Sequence, residues 1–144
     1  MDYQVSAKVQ ALFEQVLELD EVKKAMAFVE ADAEQSIEEQ IALTLIEAPT
    51  FHEAERAQAF AKYLGDLGLE NPHVDEFGNA VALWKGTGNG PKILIEAHLD
   101  TVFPKGSVKE VRRENGILYA PGIVDDTRGL AVLLSALRGL KASG

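Results

Sequence analysis

The sequence predicts an α/β fold, a mixed sheet flanked by helices, on three observations. Apolar residues recur at helical spacing up to Gly68, and after Pro72 the period changes to two. A short apolar run rich in β-branched residues, "KILIEAHLD" (residues 92–100), then stops abruptly and is followed by a return to helical spacing. With 144 residues the chain can bury the core of one domain and is too short to suggest two.

Each element has its own signal. Val5, Val9, Leu12, Phe13, Val16 and Leu17 fall three and four apart, which predicts a long or broken amphipathic helix from Val5 to about Val29. Ser36 and Glu39 are spaced as a capping box, and Ile37, Ile41 and Leu45 make one stripe until Pro49 stops it. Thr50 and Glu53 repeat the start signal and open a third helix, closed by Gly65 and Gly68, with Phe60 and Leu64 facing inward. "HVDEFGNAVALWKG" reads as two short strands around Phe77-Gly78-Asn79, and "TGNGP" as a second turn. "KILIEAHLD" is expected to be a central strand buried on both faces and ending near Asp100. "VRRENGILYAPG" reads as an antiparallel excursion around Asn115-Gly116. In the last stretch Leu130, Leu133, Leu134 and Leu137 form a helical stripe, Arg138 and Lys141 suit its carboxyl end, and Gly144 closes it.

Composition narrows the function. Fourteen basic against 23 acidic residues give a net charge of -9, so a phosphate backbone or an anionic lipid surface would be repelled. An acidic balance suits cationic ligands, although a solvated acidic surface explains it as well. The absence of cysteine excludes disulfides and thiolate metal sites, leaving His, Asp and Glu as ligands. The amino terminus is charged throughout and lacks the apolar core of a signal peptide, and no stretch is long and apolar enough to span a bilayer. The expectation is a soluble, cytoplasmic protein with no nucleic-acid or membrane partner.

Two places could carry chemistry. On a strand, residues two apart share a face, so His98 and Asp100 would project together at a carboxyl edge where α/β sheets place ligands. A metal-binding histidine commonly gives its other ring N–H to a carboxylate, and Asp100 is spaced to receive it; an isolated H-x-D is also an ordinary loop cap. In "YAPGIVDDTRGLAVLL" a glycine-containing loop leads to Asp125 and Asp126 and directly into an apolar helix. One aspartate suffices to cap that helix, and capping explains neither the second nor the sharp stop after the strand. Other candidates fall away. His52 stands in "FHEAER", where Arg56 occupies the second-histidine position of H-E-x-x-H; His73 follows Pro72 at a strand entrance; "GTGNGP" precedes a strand and lacks the third glycine of a dinucleotide loop.

"AHLDTVFPKG" followed by "LYAPGIVDDTRGLAVLLSAL" resembles the M20 family of zinc-dependent peptidases and deacylases, the group of glutamate carboxypeptidase, peptidase T and acetylornithine deacetylase. The two motifs stand in the family's order and at its spacing, with 27 positions from His98 to Asp125. Weaker similarity extends from about Ile37, which suggests an amino-terminal helical segment (1–34) and an M20-like portion (35–144) of one partial catalytic domain of the zinc aminopeptidase/phosphorylase-like type.

The resemblance implies that His98 ligates one zinc, that Asp125 bridges two, that Asp100 holds the His98 ring, and that the peptide bond after Asp125 is cis. Two zinc ions, roughly 3.5 to 4 Å apart, would make hydroxide available near neutral pH for attack on the amide of a peptide or N-acyl amino acid. "HLDTVFP" leans toward the peptidases. The family's Glu-Glu pair with its general base, a further acidic ligand, a distant histidine and an inserted lid or dimerisation domain have no counterpart here. The expectation is therefore an amino-terminal portion of a longer enzyme, inactive alone and holding zinc weakly or not at all, with exposed surfaces through which it could self-associate into a homo-oligomer. Two other readings stay open: a non-catalytic binding or assembly domain on the same fold, and a nucleotide-binding α/β domain.

Overall fold

The computed structural model describes residues 5–86 and 88–144. Five helices and two antiparallel hairpins follow in the order α1 (Ala7–Leu17), α2 (Asp20–Ala31), α3 (Ala33–Leu45), α4 (Ala54–Asp66), β1 (Glu70–Val74), β2 (Ala80–Leu83), β3 (Arg112–Glu114), β4 (Ile117–Tyr119) and α5 (Thr127–Ser143).

The α/β class is as the sequence predicts, and so is most of the order. The first amphipathic stretch is broken, α1 giving way to α2 around Glu18 and Leu19. The α1 stripe remains uncovered, with Val9, Leu12, Phe13 and Val16 all exposed. The two predicted hairpins form as β1–β2 and β3–β4. In the second, Asn115 and Gly116 both have positive φ (51° and 79°), the condition for a tight primed turn and the reason Asn-Gly signals one. In the first, the Asp75 carboxylate accepts hydrogen bonds from the amides of Phe77 and Asn79 and closes the turn locally. In "TGNGP", residues 88–90 form a bend, and Thr87 lies outside the described residues.

The core is built from one face of three helices: Leu43 of α3, Phe60 and Leu64 of α4, and Leu130, Leu134 and Leu137 of α5. Each such side chain contributes about 1.5 to 3 kcal/mol by leaving water. Ala80, Ala82, Ala97 and Leu99 pack against this cluster from the side, which sets the β1–β2 hairpin and the end of the 92–100 run beside α4 and α5.

Three local expectations are corrected. Ser36 and Glu39 do not cap a helix, because α3 starts at Ala33 and both side chains lie buried on its inner face. Glu39 instead pairs with Arg138 of α5 at 2.8 Å, a tertiary ion pair that outweighs the local cap. Thr50 likewise does not cap α4, whose N-cap is Glu53; its hydroxyl donates to Asp100 at 2.7 Å. The third correction concerns the sheet. No single mixed sheet forms among the described residues, the one parallel pairing being a bridge between Pro49 and Thr101. "KILIEAHLD" is not a doubly buried strand: Ile93 and Leu94 are 79% and 83% exposed. A strand needs neighbours to supply its hydrogen-bond partners, and no described strand lies alongside.

Buried polar groups also tie the helices together. Arg138 reaches from α5 to Asp32, between α2 and α3, at 2.6 Å and to Glu39 of α3, while Ser135 donates to Asp32 at 2.7 Å. All three ion-pair side chains are nearly buried, so removing the cation strands two carboxylates away from water. Arg138→Ala is therefore expected to lower the unfolding free energy by about 3 to 5 kcal/mol. Denaturant unfolding followed by circular dichroism checks this, and a loss below about 1 kcal/mol would mean that the pair behaves as a solvated surface contact.

Candidate functional site

Two anchored segments meet at the site. The first is the end of the 92–100 run. Arg56 of α4, 1% exposed, donates through Nε to the Ile46 carbonyl at 2.8 Å and through a terminal nitrogen to the Leu99 carbonyl at 2.7 Å. The Thr101 amide donates to the Ala48 carbonyl at 2.8 Å, and the Thr50 amide to the Thr101 carbonyl at 3.2 Å. His98 and Asp100 are thereby fixed against the connection between α3 and α4. Burial pulls the Arg56 pKa down while the charge of Asp100 pushes it up.

The second segment is the loop from Ala120 to Asp126, which enters α5. The buried Gln40 amide donates to the Ile123 carbonyl at 2.6 Å. The Thr127 hydroxyl lies 3.0 Å from the carbonyls of both Gly122 and Ile123 and 2.8 Å from the hydroxyl of Thr44. Gly122 has φ +72°, and a Cβ there would stand 2.7 Å from the Thr101 methyl, so the two segments pass too closely for a side chain at that point. Asp126 caps α5 by accepting from the Gly129 amide at 3.0 Å. Its other oxygen accepts from the His98 amide at 3.2 Å, joining the segments directly.

The outcome is a histidine held on both ring nitrogens. His98 Nδ1 lies 3.1 Å from Asp100 Oδ1, and Nε2 lies 2.8 Å from Asp125 Oδ1. Partial burial lowers the His98 pKa, but the hydrogen bonds with Asp125 and Asp100 and the nearby charge of Asp126 outweigh it, leaving a net rise. The Thr50 hydroxyl holds the Asp100 carboxyl below its ordinary value; burial opposes this, and the hydrogen bond and charge of His98 add to the lowering. The Asp125–Asp126 peptide is cis, as expected. These groups open on a groove of about 340 Å³ whose walls include Phe103, Ile123 and Val124.

Asp100, Asp125 and His98 are thus brought together, whereas His52 and His73 take no part. His73 Nδ1 sits 2.8 Å from the Asn71 carbonyl of its own strand. One imidazole nitrogen and one carboxylate facing each other, with the other ring nitrogen on a second carboxylate, is a donor set that fits part of a zinc shell. It is a part only: among the described residues no three His, Asp or Glu side chains converge as a metal-binding group, because Asp100 occupies the far side of the ring. The sequence reading missed the supporting residues Gln40, Thr44, Thr50, Arg56 and Thr127. For Gln40, Thr44, Arg56 and Thr127 the signal was a polar side chain at an inward helical position, visible only as a break in an apolar stripe; Thr50 lies in the connection between α3 and α4.

Comparison with known proteins covers the same segment of the chain. Residues 94–144 match the sequence model of Peptidase family M20/M25/M40, which spans His98, Asp100, the loop and α5. Among curated relatives, the chain is similar to the uncharacterized protein YqjE of Bacillus subtilis, at 34% identity over 73% of this chain and 31% of the relative. It is also similar to carboxypeptidase G2 of a Pseudomonas species, at 43% identity over 46% of this chain and 16% of the relative. With succinyl-diaminopimelate desuccinylase of Corynebacterium glutamicum it shares 33% identity over 68% of this chain and 26% of the relative. These matches show residues 94–144 to be a segment of the M20 peptidase family. The chain spans a third or less of the length of these relatives. No helix among the described residues is long and apolar enough to cross a membrane.

The Thr50 contact gives a pH-dependent prediction. Because the Asp100 pKa is lowered, its contribution to stability is present above the ordinary carboxyl value and is lost as pH falls through the lowered one. In Thr50→Val the Asp100 carboxyl is expected to titrate closer to its ordinary value, shifting that loss to higher pH. Carboxyl ¹³C chemical shifts followed through an acid titration check it, and an unmoved Asp100 curve would show that Thr50 does not hold it.

Proposed function

We propose that this chain supplies part of the metal site of an M20-type hydrolase that cleaves the amide bond of a peptide or an N-acyl amino acid. The observation that carries the proposal is the His98 ring fixed between Asp100 at Nδ1 and Asp125 at Nε2, with family similarity over the same segment. In this reading His98 and Asp125 would hold zinc, with Asp125 as the ligand common to two ions, and Asp100 would orient the imidazole. When bound, zinc supplies Lewis-acid polarisation and an acidified water. The chain's own residues do the positioning: Thr50 and Arg56 hold the His98–Asp100 turn, and Thr127 with Gln40 holds the loop that carries Asp125. Phe103, Ile123 and Val124 give the groove an apolar wall that suits an acyl or side-chain group beside the scissile bond.

The relatives named a carboxypeptidase and a desuccinylase support this substrate class without choosing within it. A catalytic zinc normally takes three protein ligands, and this chain offers two, so the 144 residues alone are expected to be inactive and to bind zinc weakly.

The test uses the longest natural polypeptide that carries these residues. Hydrolysis of dipeptides or N-acyl amino acids is expected to be lost to a chelator and restored by zinc. His98→Ala is expected to abolish it, and Asp100→Ala to lower metal affinity by about 10- to 100-fold. Undiminished hydrolysis by a chelator-treated His98→Ala protein would refute the assignment.

A further inference from the structure

Glu47 is a charged side chain that neither the core nor the His98 centre uses. It stands just past Leu45, the end of α3, and each of its carboxylate oxygens accepts one backbone amide. Oε1 accepts from Val108 at 2.8 Å and Oε2 from Gly106 at 2.7 Å. Hydrogen bonds from Val108 and then Gly106 hold the Glu47 carboxyl below its ordinary pKa against the opposing effect of burial. Near neutral pH it is therefore an anion that grips the loop through charge-assisted hydrogen bonds.

The same short stretch holds the other end of that loop. The Ala48 carbonyl accepts the Thr101 amide at 2.8 Å, and the Thr50 amide donates to the Thr101 carbonyl at 3.2 Å. The loop from Thr101 to Val108 is thus fastened at both ends to residues 47–50. Ser107 donates to the Pro104 carbonyl through its amide at 3.2 Å and its hydroxyl at 2.6 Å, which makes the far end a compact turn. Val102 and Phe103 lie between the fastenings, and among the described residues neither has a backbone–backbone hydrogen bond of its own. Both line the groove beside His98, Asp100 and Asp125. The Thr101 anchor adjoins Asp100, so disturbing it would disturb the His98 centre. The Glu47 anchor lies beyond the wall along the chain, and its loss would free the wall alone.

We propose that Glu47 is a positioning residue: by clamping Gly106 and Val108 it sets Val102 and Phe103 against the substrate and gives the groove its selectivity for an apolar group beside the scissile bond. This role rests on the hydrolase reading above, and it touches neither His98 nor Asp125.

Glu47→Gln is the decisive variant, because glutamine keeps one acceptor oxygen and turns an amino group toward the other amide. The longest natural polypeptide that carries these residues is assayed with two substrates that differ only in leucine against glycine beside the scissile bond. The wild type is expected to prefer leucine, and Glu47→Gln to lower that preference in kcat/KM by about tenfold, the lower end of what one methylene contributes in an apolar pocket. The change is expected mainly in KM, since the wall binds substrate and takes no part in bond cleavage, with zinc content and circular dichroism as in the wild type. Phe103→Ala is expected to cause a similar loss, and the double variant to lose no more than Phe103→Ala alone. Equal losses on both substrates, an unchanged preference, or additive effects in the double variant would each overturn the positioning role. A wild type without leucine preference would do so as well. Absence of chelator-sensitive hydrolysis from the wild type would instead strike the function proposed above, and this role with it.

Discussion

The buried hydroxyl of Thr127 is the contact on which the site depends. It sits at the first turn of α5 beside the carbonyls of Gly122 and Ile123 and the hydroxyl of Thr44, and both threonines are fully inaccessible. A polar group at that depth is costly unless paired, and the pairing it finds sets the path of the loop. No buried side-chain polar atom among the described residues lacks a partner, so the network is closed. Asp125 and Asp126 follow from the loop's path. Asp126 caps α5 and grips the His98 amide, and Asp125 is left to face the ring.

The other half of the site rests on Arg56. A guanidinium buried by α4 bonds two carbonyls from different segments, Ile46 and Leu99, and so fastens the end of an otherwise unpaired run. This explains a contrast along "KILIEAHLD". Its first half lies uncovered, while Ala97 and Leu99 pack on the core and His98 and Asp100 are held in place. The organised part is the part that carries the chemistry. Tightly bonded groups on both sides, rather than a continuous sheet, give His98 its two partners.

Much of this was legible in the residues. Helical spacing located the stripes of Phe60 with Leu64 and of Leu130 with Leu134, because those side chains face a core made by helices alone. Asn115-Gly116 located a hairpin because its backbone demands positive φ. The pairing of H-x-D with a later Asp-Asp pointed to the two segments that the fold brings together. What was hidden has a common cause. Ser36, Glu39 and Thr50 carry good local capping signals, yet Glu39 and Thr50 are drawn to partners far along the chain, Arg138 and Asp100, and Ser36 lies on the buried face of α3. Local propensity cannot anticipate such partners. The 92–96 run failed for the converse reason, since its composition describes a buried strand while no described strand accompanies it.

The central claim is that the Thr127 network holds the loop against the His98 turn, and native-state hydrogen exchange tests it most directly. The amides of His98 and Gly129 both donate to the Asp126 carboxylate, so they report on the same junction. The account predicts that both are protected in the native chain and that Thr127→Val removes protection from both together, while amides in the middle of α4 keep theirs. A His98 amide that exchanges freely in the native chain, or one whose protection survives Thr127→Val, would contradict it.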